Sequence, residues 1–194
     1  MIKLKSLLEE GVQSFDYWYH GRTVDSDVFS YDYVGGENAK DQEGPGFYFA
    51  NTFNEAKHYA YPNGIILKCQ VHYKKLILKT SKSNTKTNKK VITDLILNSP
   101  DKEYVLTNFD EDPKRAFVNA VNAYSQYPYA HDSYQILARD FYRNDPQSYL
   151  RNLSKYYDAQ LTDTGGGIFH LIVYKPDIIQ VVEKIPYRKE EDRD

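Results

Sequence analysis

The side chains with chemistry to offer gather in three short runs. They are Tyr19-His20-Gly21, then Gly44-Pro-Gly-Phe-Tyr-Phe-Ala50 followed by Ala56 and Tyr59, and last Ile168-Phe-His-Leu-Ile-Val-Tyr-Lys-Pro176. Tyrosine is the unusual component, at 19 of 194 residues. A flat apolar ring with a polar handle suits a pocket for a planar ligand. The other reading is that Tyr replaces Phe and Leu in a half-wet core. Simpler chemistries fail on spacing. Gly165-Gly-Gly167 lacks a following Lys-[Ser/Thr] and reads as a flexible hairpin, not a phosphate loop. Histidines 20, 58, 72, 131 and 170 are scattered, with no metal-ligand spacing. Cys69 lies mid-strand and reads as inert, and no Gly-x-Ser-x-Gly elbow is present.

A histidine at a strand end, a glycine turn into a strand and a tyrosine at helical spacing each have a purely structural reading. Their order is what joins them. It resembles the ADP-ribosyltransferase fold of the diphtheria-toxin-like branch, which includes the poly-ADP-ribose polymerases. Among these it looks most like the small transferase domains of phage and mobile-element polyvalent proteins. The resemblance covers roughly residues 17–80 and 156–185, and the helical stretch between matches in kind only. It implies split antiparallel β-sheets around an NAD cleft, within a single domain over residues 1–194. NAD would be the substrate, with no metal. By resemblance His20 contacts the adenosine ribose and Gly21 clamps the nicotinamide amide through its backbone, where a side chain would block close approach. Tyr48 and Tyr59 would sandwich the nicotinamide. Cleaving the glycosidic bond makes an oxocarbenium-like centre, so the site must stabilise positive charge and release neutral nicotinamide.

The third run departs from the family. Where active polymerase-type members place a glutamate, this chain has His170. A neutral imidazole can hold a ribose hydroxyl, whereas a protonated one opposes the developing cation. The departure points away from poly-ADP-ribose chains and towards mono-ADP-ribosyl transfer, with His20, Tyr48 and His170 as the catalytic set. An acidic acceptor, or Asp163 from the preceding loop, would supply the missing carboxylate; Asp158 reads as structural. The acceptor is expected to be a protein rather than a nucleic acid. The alternatives are an inactive binding module of the same fold, or a phage virion-associated protein, for which the opening MIKLKSLLEE is a cue.

Composition narrows the setting. With 25 Lys+Arg against 27 Asp+Glu, the net charge of −2 argues against a dedicated nucleic-acid binder. A single cysteine excludes an internal disulfide and any multi-cysteine metal centre. No apolar run approaches the roughly 18–20 residues that span a bilayer. The expected location is the cytoplasm, or the host cytoplasm or virion if phage-encoded.

The elements that must position these residues follow from periodicity. Residues 1–10 read as a short amphipathic helix, 13–20 as a strand, Gly35-Gly36 as a turn and 47–49 as a strand. A helix over 51–61 has Thr52 or Asn54 as its cap. Strands are predicted at 65–73 and 76–78, then a mobile polar loop over 81–90. A helical insertion over about 89–156 carries helices at 91–97, 114–124, 133–142 and 147–156. Asp112-Pro113 and Asp145-Pro146 mark helix starts, and Asp132 is a candidate cap. Strands at 157–161, 168–174 and 178–185 close the domain, around a loop at 162–167 and a turn at 175–177. A charged tail from Arg188 follows. The class is α+β.

Overall fold

Apolar residues at alternate positions draw seven segments into one sheet in the computed structural model, which describes residues 15–34 and 44–188. The strands are β1 (Trp18–Arg22), β2 (Phe47–Ala50), β3 (Ile65–Val71), β4 (Leu76–Leu78), β5 (Ala159–Gly165), β6 (Ile168–Val173) and β7 (Ile179–Pro186). Their order is β4-β5-β6-β2-β1-β3-β7. The predicted helix at 1–10, the Gly35-Gly36 turn and the tail beyond Arg188 lie outside the described residues.

The sheet is one, not two separate antiparallel sheets, but it is parted in the middle. β1 pairs with β3 along its whole length, from Trp18↔Cys69 to Arg22↔Ile65. β2 pairs equally fully with β6. Between β1 and β2 the only register pair is Tyr19↔Ala50. The sheet is also mixed, because β4 and β5 run parallel. Parallel neighbours need a long crossover, and the helical insertion supplies it.

Helix α1 (Phe53–Ala60) starts at Thr52, whose side chain accepts the Glu55 N–H, and lies on β1 and β3. Two glycines allow that approach. A Cβ on Gly21 would stand 2.0 Å from the Ala56 carbonyl oxygen, and one on Gly64 would stand 2.1 Å from that of Arg22. The insertion holds α2 (Lys86–Leu97), α3 (Lys102–Leu106), α4 (Pro113–Ser125), α5 (Ala130–Phe141) and α6 (Pro146–Leu153). Leu95, Leu137, Phe141 and Leu150 join the inner faces of the strands in one apolar cluster with Trp18, Phe49 and Leu171. No helix among the described residues is long and apolar enough to cross a membrane.

Several expectations are corrected. The polar run 81–90 is an ordered helix entry, not a mobile loop. Ser83 is fully buried and donates to the carbonyls of Ser125 and Tyr127, Thr85 caps α2, and the Asn88 side chain donates to the Lys82 carbonyl. Asp132 does not cap α5: Tyr129 holds that position, and Asp132 faces His131 at 3.0 Å within the first turn. Strand β5 begins at Ala159 and continues through Thr162–Gly165, leaving a turn of glycines with φ of +63° and +79° at Gly166 and Gly167. The caps at Asp112 and Asp145 are as expected.

Candidate active site

Where β1 and β2 part, their register is down to Tyr19↔Ala50, and backbone groups at such a parting need partners from side chains. The imidazole of His20 fills that need, with Nδ1 2.6 Å from the Tyr48 oxygen. Rings of Phe29 and Phe49 lie 5.1 and 5.3 Å from the His20 ring. Arg22 sits over Phe29 at 4.6 Å and donates to the carbonyls of Ser26 and Val28. Burial first, and the Arg22 charge second, hold the His20 imidazole down at about 4, against the opposing pull of the Tyr48 carbonyl. His20 is therefore neutral at pH 7. A carbonyl only accepts, so Nδ1 carries the proton and Nε2 is left as a lone-pair acceptor.

Tyr48 is half-buried, with its hydroxyl donating to the carbonyl of Gly44, a glycine at φ +93°. Tyr48 stands opposite Ile172, and Ala50 stands opposite His170. Residues two apart on a strand share a face, so Tyr48 and His170 line the same side of the β2–β6 pair. Tyr19, opposite Ala50, is on that side too, and His20 turns to the other face, with Phe49. Tyr59 is on the last turn of α1 and 46% exposed. It lies one helical turn beyond Glu55, on the same flank of the helix. Gly21 sits under α1, opposite Ile66, and the close approach that demands glycine there is the helix backbone.

Glu55 is the residue the sequence reading missed. Its Oε1 is 3.6 Å from Nε2 of His170, with side chains 27% and 20% exposed respectively. That nitrogen is buried and has no hydrogen-bond partner. Local sequence dictates the placement. Asn51 clamps the β2–α1 turn to β6: its N–H donates to the Phe169 carbonyl, its Oδ1 accepts the Phe169 N–H, and its Nδ2 donates to Gly167. Thr52 then starts α1 so that the third helical residue faces His170. The signal in the sequence is Thr52-x-x-Glu55, which reads as a capping box and so as purely structural.

Asp163 is engaged elsewhere. Its Oδ1 accepts the Gly165 N–H in the β5–β6 turn. Its neighbour Thr162 is the residue opposite His170, so the Asp163 side chain belongs to the other face. Asp158 is structural as expected: Oδ2 accepts the N–H groups of Lys74 and Lys75 at 2.8 and 2.9 Å, and Lys175 pairs with Oδ1. Burial alone would raise its carboxyl, but these donors hold it below the usual range. Cys69 is buried, and burial pushes its thiol up to about 12. Among the described residues no three His, Cys, Asp or Glu side chains gather in a metal-holding group.

Comparison with protein-family models, with curated proteins and with solved structures finds no match. The site must be read from its own chemistry: tyrosines and an imidazole facing a carboxylate on one face of the sheet, and a neutral imidazole acceptor on the other.

Proposed function

We propose that the chain is an NAD-dependent mono-ADP-ribosyltransferase with the diphtheria-toxin-like arrangement of site residues. The observation that carries this reading is the His20–Tyr48 bond at the parting of the sheet. It fixes His20 as a neutral acceptor on the backbone of Tyr48, at the parting of the strands, while the Tyr48 ring that the resemblance assigns to nicotinamide is on the other face of the sheet. Nε2 of His20 accepts a ribose hydroxyl, Tyr48 and Tyr59 hold the nicotinamide ring, and the backbone of Gly21 meets its amide. The bond between ribose C1′ and the pyridinium nitrogen breaks with its electron pair going to nitrogen. Neutral nicotinamide leaves, and positive charge develops on the ribose. Glu55, beside His170, brings a negative charge to the position where the family carries it on a strand. The acceptor is a macromolecule, with a protein favoured by the near-neutral charge of the chain.

The second reading is a binding module without turnover, favoured by the imidazole at the strand position of the family glutamate. Nicotinamide release from NAD, with a cell extract supplying acceptor, separates the two. Release by wild type and loss of release in Tyr48→Ala is the transferase result. Saturable NAD binding with no release is the binding-module result. Neither binding nor release overturns both.

A further inference from the structure

His170 and Glu55 form a pair that suggests what kind of acceptor the site takes. Nε2 of His170 is buried, lacks a hydrogen bond, and lies 3.6 Å from Oε1 of Glu55. The ring is 20% exposed, so it keeps an edge towards solvent while Nε2 turns inward. A carboxylate facing one nitrogen fixes the proton there and leaves the other nitrogen as the base. Shortening the gap by about 0.7–0.9 Å gives an ordinary charge-assisted hydrogen bond. Around His170 the opposing strand residues, Ala50 on β2 and Thr162 on β5, carry no charge. Glu55 on α1 is the charged side chain that faces it, and Asp163 is occupied at the turn.

We infer that His170, positioned by Glu55, is the general base that deprotonates a hydroxyl acceptor, so that the substrate class is an alcohol rather than a carboxylate. This rests on the transferase reading above. An ionised carboxylate needs no base to attack ribose C1′, whereas a hydroxyl must lose its proton. In the step, the acceptor O–H proton passes to Nδ1 of His170. The acceptor oxygen bonds to C1′, and the C1′–nitrogen bond breaks, with its electron pair leaving on nicotinamide. Glu55 stays ionised and stabilises the imidazolium that forms.

The test labels a cell extract with radioactive NAD and wild-type protein, then treats it with neutral hydroxylamine. Esters on carboxylates are cleaved by that treatment, and glycosidic bonds to hydroxyl oxygens survive. Label that survives is the expected result; label that is released overturns the hydroxyl assignment. Nicotinamide release is followed in parallel, with water as the acceptor if no protein is labelled. His170→Gln should lose at least about tenfold of the rate, and Glu55→Gln should lose rate with NAD affinity kept within about threefold. Glu55→Asp should recover part of the loss, which a merely structural role would not give. Unchanged rates in both variants overturn the pair while leaving the transferase standing. No nicotinamide release by wild type overturns the transferase reading and this inference with it.

Discussion

His20 on β1 donates through Nδ1 to the backbone carbonyl of Tyr48 on β2, 2.6 Å away, at the point where the two strands cease to pair. The bond stitches the two halves of the sheet where their ladder is shortest. Replacing His20 by Phe keeps the ring among Phe29 and Phe49 but leaves the carbonyl without its donor. The expected loss is about 1–3 kcal/mol of folding stability, read from urea midpoints. A variant as stable as wild type would remove His20 from the joint.

The same histidine sets an acid limit. Its folded-state value of about 4 lies below the ordinary 6.5, so the unfolded chain takes up the proton first. Stability is complete above about pH 6.5, falls as pH drops towards 4, and loses nothing more from this group below that. The shift caps the effect at about 3 kcal/mol, less what solvent takes from a half-buried ring. Urea unfolding at intervals between pH 7.5 and 4 checks it, with His20→Gln expected to flatten the slope.

Gly21 and Gly166 separate two reasons for glycine. A Cβ at Gly21 meets the Ala56 carbonyl at 2.0 Å, and a helix backbone cannot move aside as a side chain tip can. Gly21→Ala should cost at least about 3 kcal/mol, since α1 must lift from the sheet. Gly166 has φ +63° and open space around it, so Gly166→Ala should cost only about 1–2 kcal/mol. Thermal unfolding of the two variants reads the contrast, and equal costs would refute the packing argument.

What was legible in the sequence was local. Thr52, Asp112 and Asp145 act within three residues of where they stand, and each caps the helix its position implies. The alternating strands follow from short-range pattern in the same way. Residues 81–90 misled because their partners are remote. Ser83 and Asn88 look like loop residues until Ser125, Tyr127, Tyr134 and Tyr157 come to them. Glu55 was hidden for the same reason, since its neighbour His170 arrives on a strand from the far end of the chain. The tyrosine excess was ambiguous by composition, and the structure assigns much of it to wiring. Tyr142 donates to the Leu95 carbonyl, Tyr149 to that of Tyr134, and Tyr124 to Asp140.

Asn88 is the centre of that wiring, and its buried Oδ1 accepts the hydroxyls of Tyr134 on α5 and of Tyr157 ahead of β5. Asn88→Leu would take that acceptor from both phenols and leave them only each other. The expected cost is about 1–3 kcal/mol, from the one hydroxyl left without an acceptor. Tyr134→Phe with Tyr157→Phe in the same chain should recover part of it. No recovery in the triple variant would show that Asn88 acts by shape alone.

Tyr48 allows ring and hydroxyl to be tested apart. Its hydroxyl is spent on the Gly44 carbonyl, within the turn that leads into β2, so it belongs to the fold. The ring is half-buried on the side of the β2–β6 pair that carries His170, so it belongs to the site. Tyr48→Phe should lose about 1 kcal/mol of stability and keep NAD affinity within about threefold, since stacking needs only the aromatic face. Tyr48→Ala should weaken NAD binding at least about tenfold, the loss of about 1.4 kcal/mol that one aromatic contact supplies. Titration calorimetry with NAD on both variants gives the answer. Equal losses in the two would place the hydroxyl, not the ring, in contact with the ligand, and would move nicotinamide away from Tyr48.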